Sequence, residues 1–129
     1  NRIRYAVTEA NASAFTQVDG MKTVTMAVLT PDLYVCTSAT GITATTCGTA
    51  TALTSTAPAV IYSLGKNAPL GGTGTDETEN PNPNSANNDQ FFVSHTPMPL
   101  GAANGEFDDI VIWLSPNILF NRMVQAGQL

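Results

Sequence analysis

The residues best equipped for chemistry are acids. Between Asn67 and Asn121 the sequence has seven carboxylates and no Lys or Arg. Three of them, Asp76, Glu77 and Glu79, close a glycine-rich stretch over residues 65–80, GKNAPLGGTGTDETEN. Carboxylate and amide oxygens recur there at short spacing, and glycines let the backbone turn its carbonyls inward, as a hard cation such as calcium requires. The stretch as a whole is therefore a candidate calcium loop. The ligand spacing and closing bidentate Glu of an EF-hand are absent, and a solvated acidic loop is the plain alternative. Asp108-Asp109 precedes a strand, either completing the same site or forming a turn and a solvated edge. Strand alternation predicts that one faces in and the other out, so they do not work as a catalytic pair.

Two further residue types carry chemistry. Cys36 and Cys47 are separated by ten residues rich in Thr, Ser and Gly. No His or third Cys lies nearby for zinc, and the C-x-x-C redox spacing is absent. A disulfide fits best; in the chain-entropy model it contributes about 3 kcal/mol and implies an oxidising compartment. Two free buried thiols are the alternative. His95, the single histidine, follows Ser94, but neighbours on a strand point to opposite faces and there is no G-x-S-x-G elbow. A turn-facing His at a strand end is the reading. A hydrolase using Ser94 and His95 is the third-ranked function, and catalytic residues are not assigned. Nor is the glycine-rich stretch a phosphate loop, since the Lys-Ser/Thr pair is missing.

The elements that must position these groups read as short strands. Residues 2–8 alternate Ile3, Tyr5 and Val7 against Arg2, Arg4 and Ala6, a half-buried strand. Residues 9–14 form a polar or helical connection. Residues 23–29 and 33–36 read as strands broken by Pro31-Asp32. Residues 37–56 hold eleven Ser or Thr and read as a surface excursion pinned by the disulfide. Residues 59–64, AVIYSL, are the candidate central strand. No element is expected over residues 65–89, a length that is usually functional, metal-organised or disordered. Strands return at 91–96 and 109–114, with Trp113 placed in packing. Ser115-Pro116 then opens a helix over 117–126 that Gly127 stops. The sum is one mainly β domain over residues 1–129, an antiparallel sheet with long loops and a short C-terminal helix. It becomes α+β once an N-terminal helix is counted.

Composition narrows the function classes. Charged residues are 12% of the chain and the net charge is −5, so the surface is neutral and hydrogen-bonding. Five scattered Lys and Arg argue against a nucleic-acid partner. No run approaches the roughly 18–20 apolar residues of a membrane-spanning helix. The start, Asn1-Arg2-Ile3-Arg4-Tyr5, is already strand-like, as in a processed or truncated piece.

Taken in order, the strand NRIRYAVT, the Cys loop, VIYSLGKN, DETEN, FVS, FDDIVIWLS and the closing NRMVQAG resemble the C-terminal part of bacterial type IV pilin-like proteins. Residues 63–79 are similar to the calcium loop of the major pseudopilins of type II secretion, with Asn67 and Asp76 on its acidic ligand positions and Glu77 and Glu79 near the remaining ones, so the resemblance makes Asn67, Asp76, Glu77 and Glu79 the candidate ligands. The resemblance implies a pilin-like head, a structural subunit of an extracellular filament that reaches the cell surface through the periplasm. Its partners are other pilin subunits in a homopolymer or mixed filament. The family's apolar anchoring helix is not among these residues; the expectation is that a longer polypeptide or a separate helix chain supplies it beside Asn1. Tyr5, Ile61, Phe92 and Ile112 are the residues expected to pack against that helix, on a sheet face lacking its natural cover. A secreted calcium-dependent adhesin or glycan-binding module is the competing function.

Overall fold

The computed structural model describes residues 2–70, 72–80 and 90–129. The expectations for Asn1 and for the part of the 65–89 loop at residues 71 and 81–89 lie outside them. The strands are β1 (Ile3–Val7), β2 (Leu33–Cys36), β3 (Ala52–Ala57), β4 (Ala59–Ser63), β5 (Phe91–Val93) and β6 (Ile110–Trp113). The helices are α1 (Ala10–Ser13), α2 (Gly20–Thr23), α3 (Thr75–Glu79) and α4 (Pro116–Gln125).

Two three-stranded sheets form instead of the single expected one, in the orders β1-β4-β6 and β3-β2-β5. The first is antiparallel throughout. In the second, β2 pairs antiparallel with β3 and parallel with β5. The architecture is therefore a small α+β domain of mostly antiparallel sheets, without a barrel. Pro58, fully buried, sits between β3 and β4 where the chain leaves one sheet for the other. It has no N–H to continue a ladder, and its carbonyl accepts the Thr8 N–H (2.9 Å).

The AVIYS run is the middle strand of its sheet, as its apolar continuity predicts. Its inward residues Val60 and Tyr62 meet Ala6 and Val111 on the neighbouring strands, and these pack on Leu33, Val35, Ala57 and Phe92 of the second sheet. A smaller cluster joins the Cys36–Cys47 disulfide to Phe91, with Tyr34, Ile42 and Ala50 against it. The disulfide reading holds, and it pins the loop after β2.

Three local expectations are corrected. Residues 23–29 are not a strand: α2 ends at Thr23 and a 3-10 turn covers Met26–Val28. The β-branched residues suggested a strand, but Val28 and Met26 are exposed. The Thr-rich excursion ends early, because ALTSTA forms β3 along β2. Thr is a good strand former wherever a partner backbone is at hand. Residues 65–89 are not without elements, since α3 lies there. At the far end α4 starts at Pro116, and Gly127 takes φ +71° just beyond it, the left-handed turn that glycine tolerates.

Phe92 joins both sheets at the core, stacking at a tilt on Tyr62 with centroids 5.2 Å apart. Phe92→Ala is expected to lower unfolding free energy by about 3–5 kcal/mol in urea titration.

Candidate functional site

The glycine-rich stretch folds back on the segment leading into β6. A Cβ on Gly74 would lie 2.3 Å from the Asn104 carbonyl oxygen, and one on Gly105 would lie 2.5 Å from Gly74 Cα. These two glycines therefore let the backbones meet, and the Thr75 N–H donates to Asn104 O (2.9 Å). Gly65 is required by a side chain: a Cβ there would lie 1.8 Å from Asp108 Oδ1.

The approach drives α3 inward, with Asp76, Glu77 and the following Asn80 all buried. Glu77 is fully buried, and three donors reach its carboxylate. Its Oε2 accepts from Asn67 Nδ2 (2.7 Å) and the Thr73 N–H (3.1 Å), and its Oε1 from the Asp108 N–H (2.9 Å). Asn80 bridges the two sheets. Its amide accepts the Val93 N–H (2.7 Å), donates to Val93 O (3.0 Å) and donates to Asp109 Oδ2 (2.8 Å).

Around Glu77 the structure gathers Asp108 and Asp109, and each of the three offers a carboxylate oxygen within 4.8 Å of the others. The expectation that this pair splits between two faces is corrected, because both residues precede β6 and strand alternation does not govern them. Asp108 Oδ2 accepts the Lys66 N–H (3.1 Å). Burial, together with the nearby Glu77 and Asp108 charges, pushes the Asp109 carboxyl up to about 6 despite the Asn80 hydrogen bond. Among the described residues, two buried oxygens here have no hydrogen-bond partner, Asn67 Oδ1 and Asp108 Oδ1.

Asp76 faces a different set of groups. Its Oδ1 accepts from Ser38 Oγ (3.0 Å) and the Ala39 N–H (2.8 Å). Its Oδ2 accepts from His95 Nε2 (2.9 Å) and Asn104 Nδ2 (3.3 Å). Burial raises its pKa, but the Ala39, Ser38, Asn104 and His95 bonds outweigh that and hold it below the ordinary carboxylate value. The other ring nitrogen of His95 lies 2.7 Å from Thr96 O, and the ring stacks on Phe107. Ser94 is tied through its backbone N–H to Cys36 O. Glu79 is half-buried, and desolvation raises its pKa.

Of the four candidate ligands, Asn67 and Glu77 thus meet, Asp76 is drawn to the Cys loop, and Glu79 is not part of the cluster. Asp108 and Asp109 take the places beside Glu77. An all-oxygen donor set with two orphaned acceptors fits a hard cation. Their one sequence signal was a pair of acids placed before a strand.

The expected packing residues divide. Phe92 is buried, while Tyr5, Ile61, Ile112 and Trp113 are exposed to differing degrees. Trp113 pairs with Val60 at the margin of the core. Tyr5, Ile61 and Ile112 form one cross-strand row, Tyr5 opposite Ile61 and Ile61 opposite Ile112. Among the described residues no helix is long and apolar enough to cross a membrane. Comparison with known proteins returned no match to a family model, a curated protein or a solved structure.

Two outcomes check this geometry. Asn80→Ala leaves the Val93 peptide groups without partners and is expected to cost about 2–4 kcal/mol in chemical unfolding. Asp76 has a depressed folded pKa, so its stabilisation is present above the unfolded value of about 4 and lost as pH falls through the folded one. Wild type is therefore expected to lose more stability than Asp76→Asn between about pH 5 and pH 2, measured by urea midpoints across that range.

Proposed function

We infer that this domain is a structural subunit, the globular head of a pilus-like or pseudopilus-like extracellular filament, packing its first sheet onto an apolar helix and onto neighbouring subunits. What carries the reading is the outer face of the β1-β4-β6 sheet. Strand alternation puts Ile3 and Tyr5 of β1, Ile61 of β4, and Ile110 and Ile112 of β6 on that face. Their exposures are 79%, 76%, 44%, 65% and 56%.

The face has the chemistry and size of a helix seat. The positions aligned with those five on the same face are Val7, Ala59 and Ser63, so no charge falls on it. Three strands at about 4.8 Å spacing span roughly 10 Å between the outer two, close to the 10–12 Å diameter of an α-helix. Fully burying one large apolar side chain stabilises by about 1.5–3 kcal/mol, so covering this face favours association by several times that amount before ordering costs. A contiguous apolar face of this kind marks an interaction surface. A helix with an apolar stripe is the occupant that fits a flat, uncharged, three-strand seat, and the resemblance of the strand sequences to pilin-like proteins supports the same choice. The disulfide is compatible with an oxidising extracellular setting.

The test is the double substitution Ile61→Lys with Ile112→Lys in producing cells. Both side chains point to solvent, so circular dichroism and the unfolding midpoint of the purified domain are expected to stay close to wild type. The protein is expected to disappear from the sheared-filament fraction. Unchanged incorporation into filaments, or a wild type that never enters that fraction, overturns the reading.

A further inference from the structure

We propose that Arg2 and Arg4, beside the apolar Leu64, Ala68 and Pro69, form a binding site for a small phosphate monoester with an apolar ester group. The site lies on the opposite face of β1 from Ile3 and Tyr5 and does not depend on the filament reading.

Alternation along β1 sorts its side chains. Ile3 and Tyr5 point outward, so Arg2, Arg4 and Ala6 share the other face. On that face Ala6 packs against the core, and Arg4 stands opposite Tyr62. Both arginines are nevertheless exposed. Beside them is a cavity of about 400 Å³ lined by Arg2, Arg4, Leu64, Lys66, Ala68 and Pro69, a size usual for small-molecule sites. Leu64 is buried and gives the cavity its floor.

Exposed arginines are common without a ligand, and here the charge distribution makes the difference. The chain has ten acids against five Lys and Arg, yet three of those five line this one cavity. Lys66 is already matched, its ammonium lying 2.5 Å from Glu106 Oε1, so it brings its methylene stem and no free charge. Among the described residues no carboxylate pairs with Arg2 or Arg4. The two stand on alternate strand positions, about 7 Å apart, close enough for both guanidinium forks to close on one anion. Such forks grip phosphate and carboxylate oxygens in pairs. A phosphate monoester carries close to two negative charges at neutral pH and balances both arginines, whereas a single carboxylate balances one. Apart from the three cations the lining is apolar, which suits an alkyl or aryl ester group and leaves sugar hydroxyls without partners.

The experiment is titration calorimetry on the whole chain with phenyl phosphate as the probe, at low and at physiological ionic strength. Phenyl phosphate is expected to bind, less tightly as salt rises, and at least ten-fold more tightly than inorganic phosphate or glycerol phosphate. Arg2→Gln with Arg4→Gln is expected to weaken binding more than ten-fold. Its circular dichroism and unfolding midpoint are expected to stay close to wild type, because both side chains are exposed. Should the double variant fail to fold, Arg4→Gln alone decides by the same criterion. Arg122→Gln, outside the cavity, and Ile61→Lys, on the outer sheet face, are expected to bind as wild type does. No phenyl phosphate binding at millimolar concentration, undiminished binding by the arginine variants, equal binding of inorganic or glycerol phosphate, or loss of binding on Arg122→Gln overturns the proposal. Normal phenyl phosphate binding with failed filament incorporation leaves this site standing while the packing reading falls.

Discussion

The carboxylate of Glu77 sets the terms for the loop half of the molecule. A buried anion is costly unless hydrogen bonds replace its water. Its donors come from Asn67, Thr73 and Asp108, so residues far apart in sequence must converge on one point. The close approaches at Gly65, Gly74 and Gly105 follow from that requirement. Without them the segment before β6 could not reach the carboxylate that α3 carries.

Asn80 extends the same constraint to the sheets. By pairing both peptide groups of Val93, it does for β5 what a further strand would do, and its third hydrogen bond reaches Asp109 beside β6. The acidic loop is thereby fastened to both sheets. Asp76, one turn earlier, fastens it to the Cys loop through Ser38 and Ala39. One helix of five residues thus holds three regions in register, and the polar interior here is structural before it is anything else.

The two sheets divide the apolar residues between an inside and an outside. Val60, Tyr62 and Val111 face Phe92 and Val35, while Ile61, Ile110 and Ile112 face away on the same strands. A sheet apolar on both faces needs cover on both, and the described residues supply it on one. This asymmetry is the observation on which the filament reading rests. The acidic cluster of Glu77, Asp108 and Asp109 lies in the loops.

Much of this was legible in the residues themselves. The alternation of β1, the continuous AVIYS run, the Ser-Pro start and Gly stop of α4, and the pairing of two cysteines all follow from local rules: side-chain period, proline and glycine geometry, and loop closure. Period two also identifies which residues share a face, but not which face is covered, because that depends on where the other sheet lies. For the same reason ALTSTA became a strand only where β2 lay alongside it. The sequence by itself determined that oxygen-rich loops and a neutral surface were present. Only the tertiary structure decided that Asp76 turns to His95 while Asp108 and Asp109 turn to Glu77, since carboxylates adjacent in sequence are sorted by donors that arrive from distant loops.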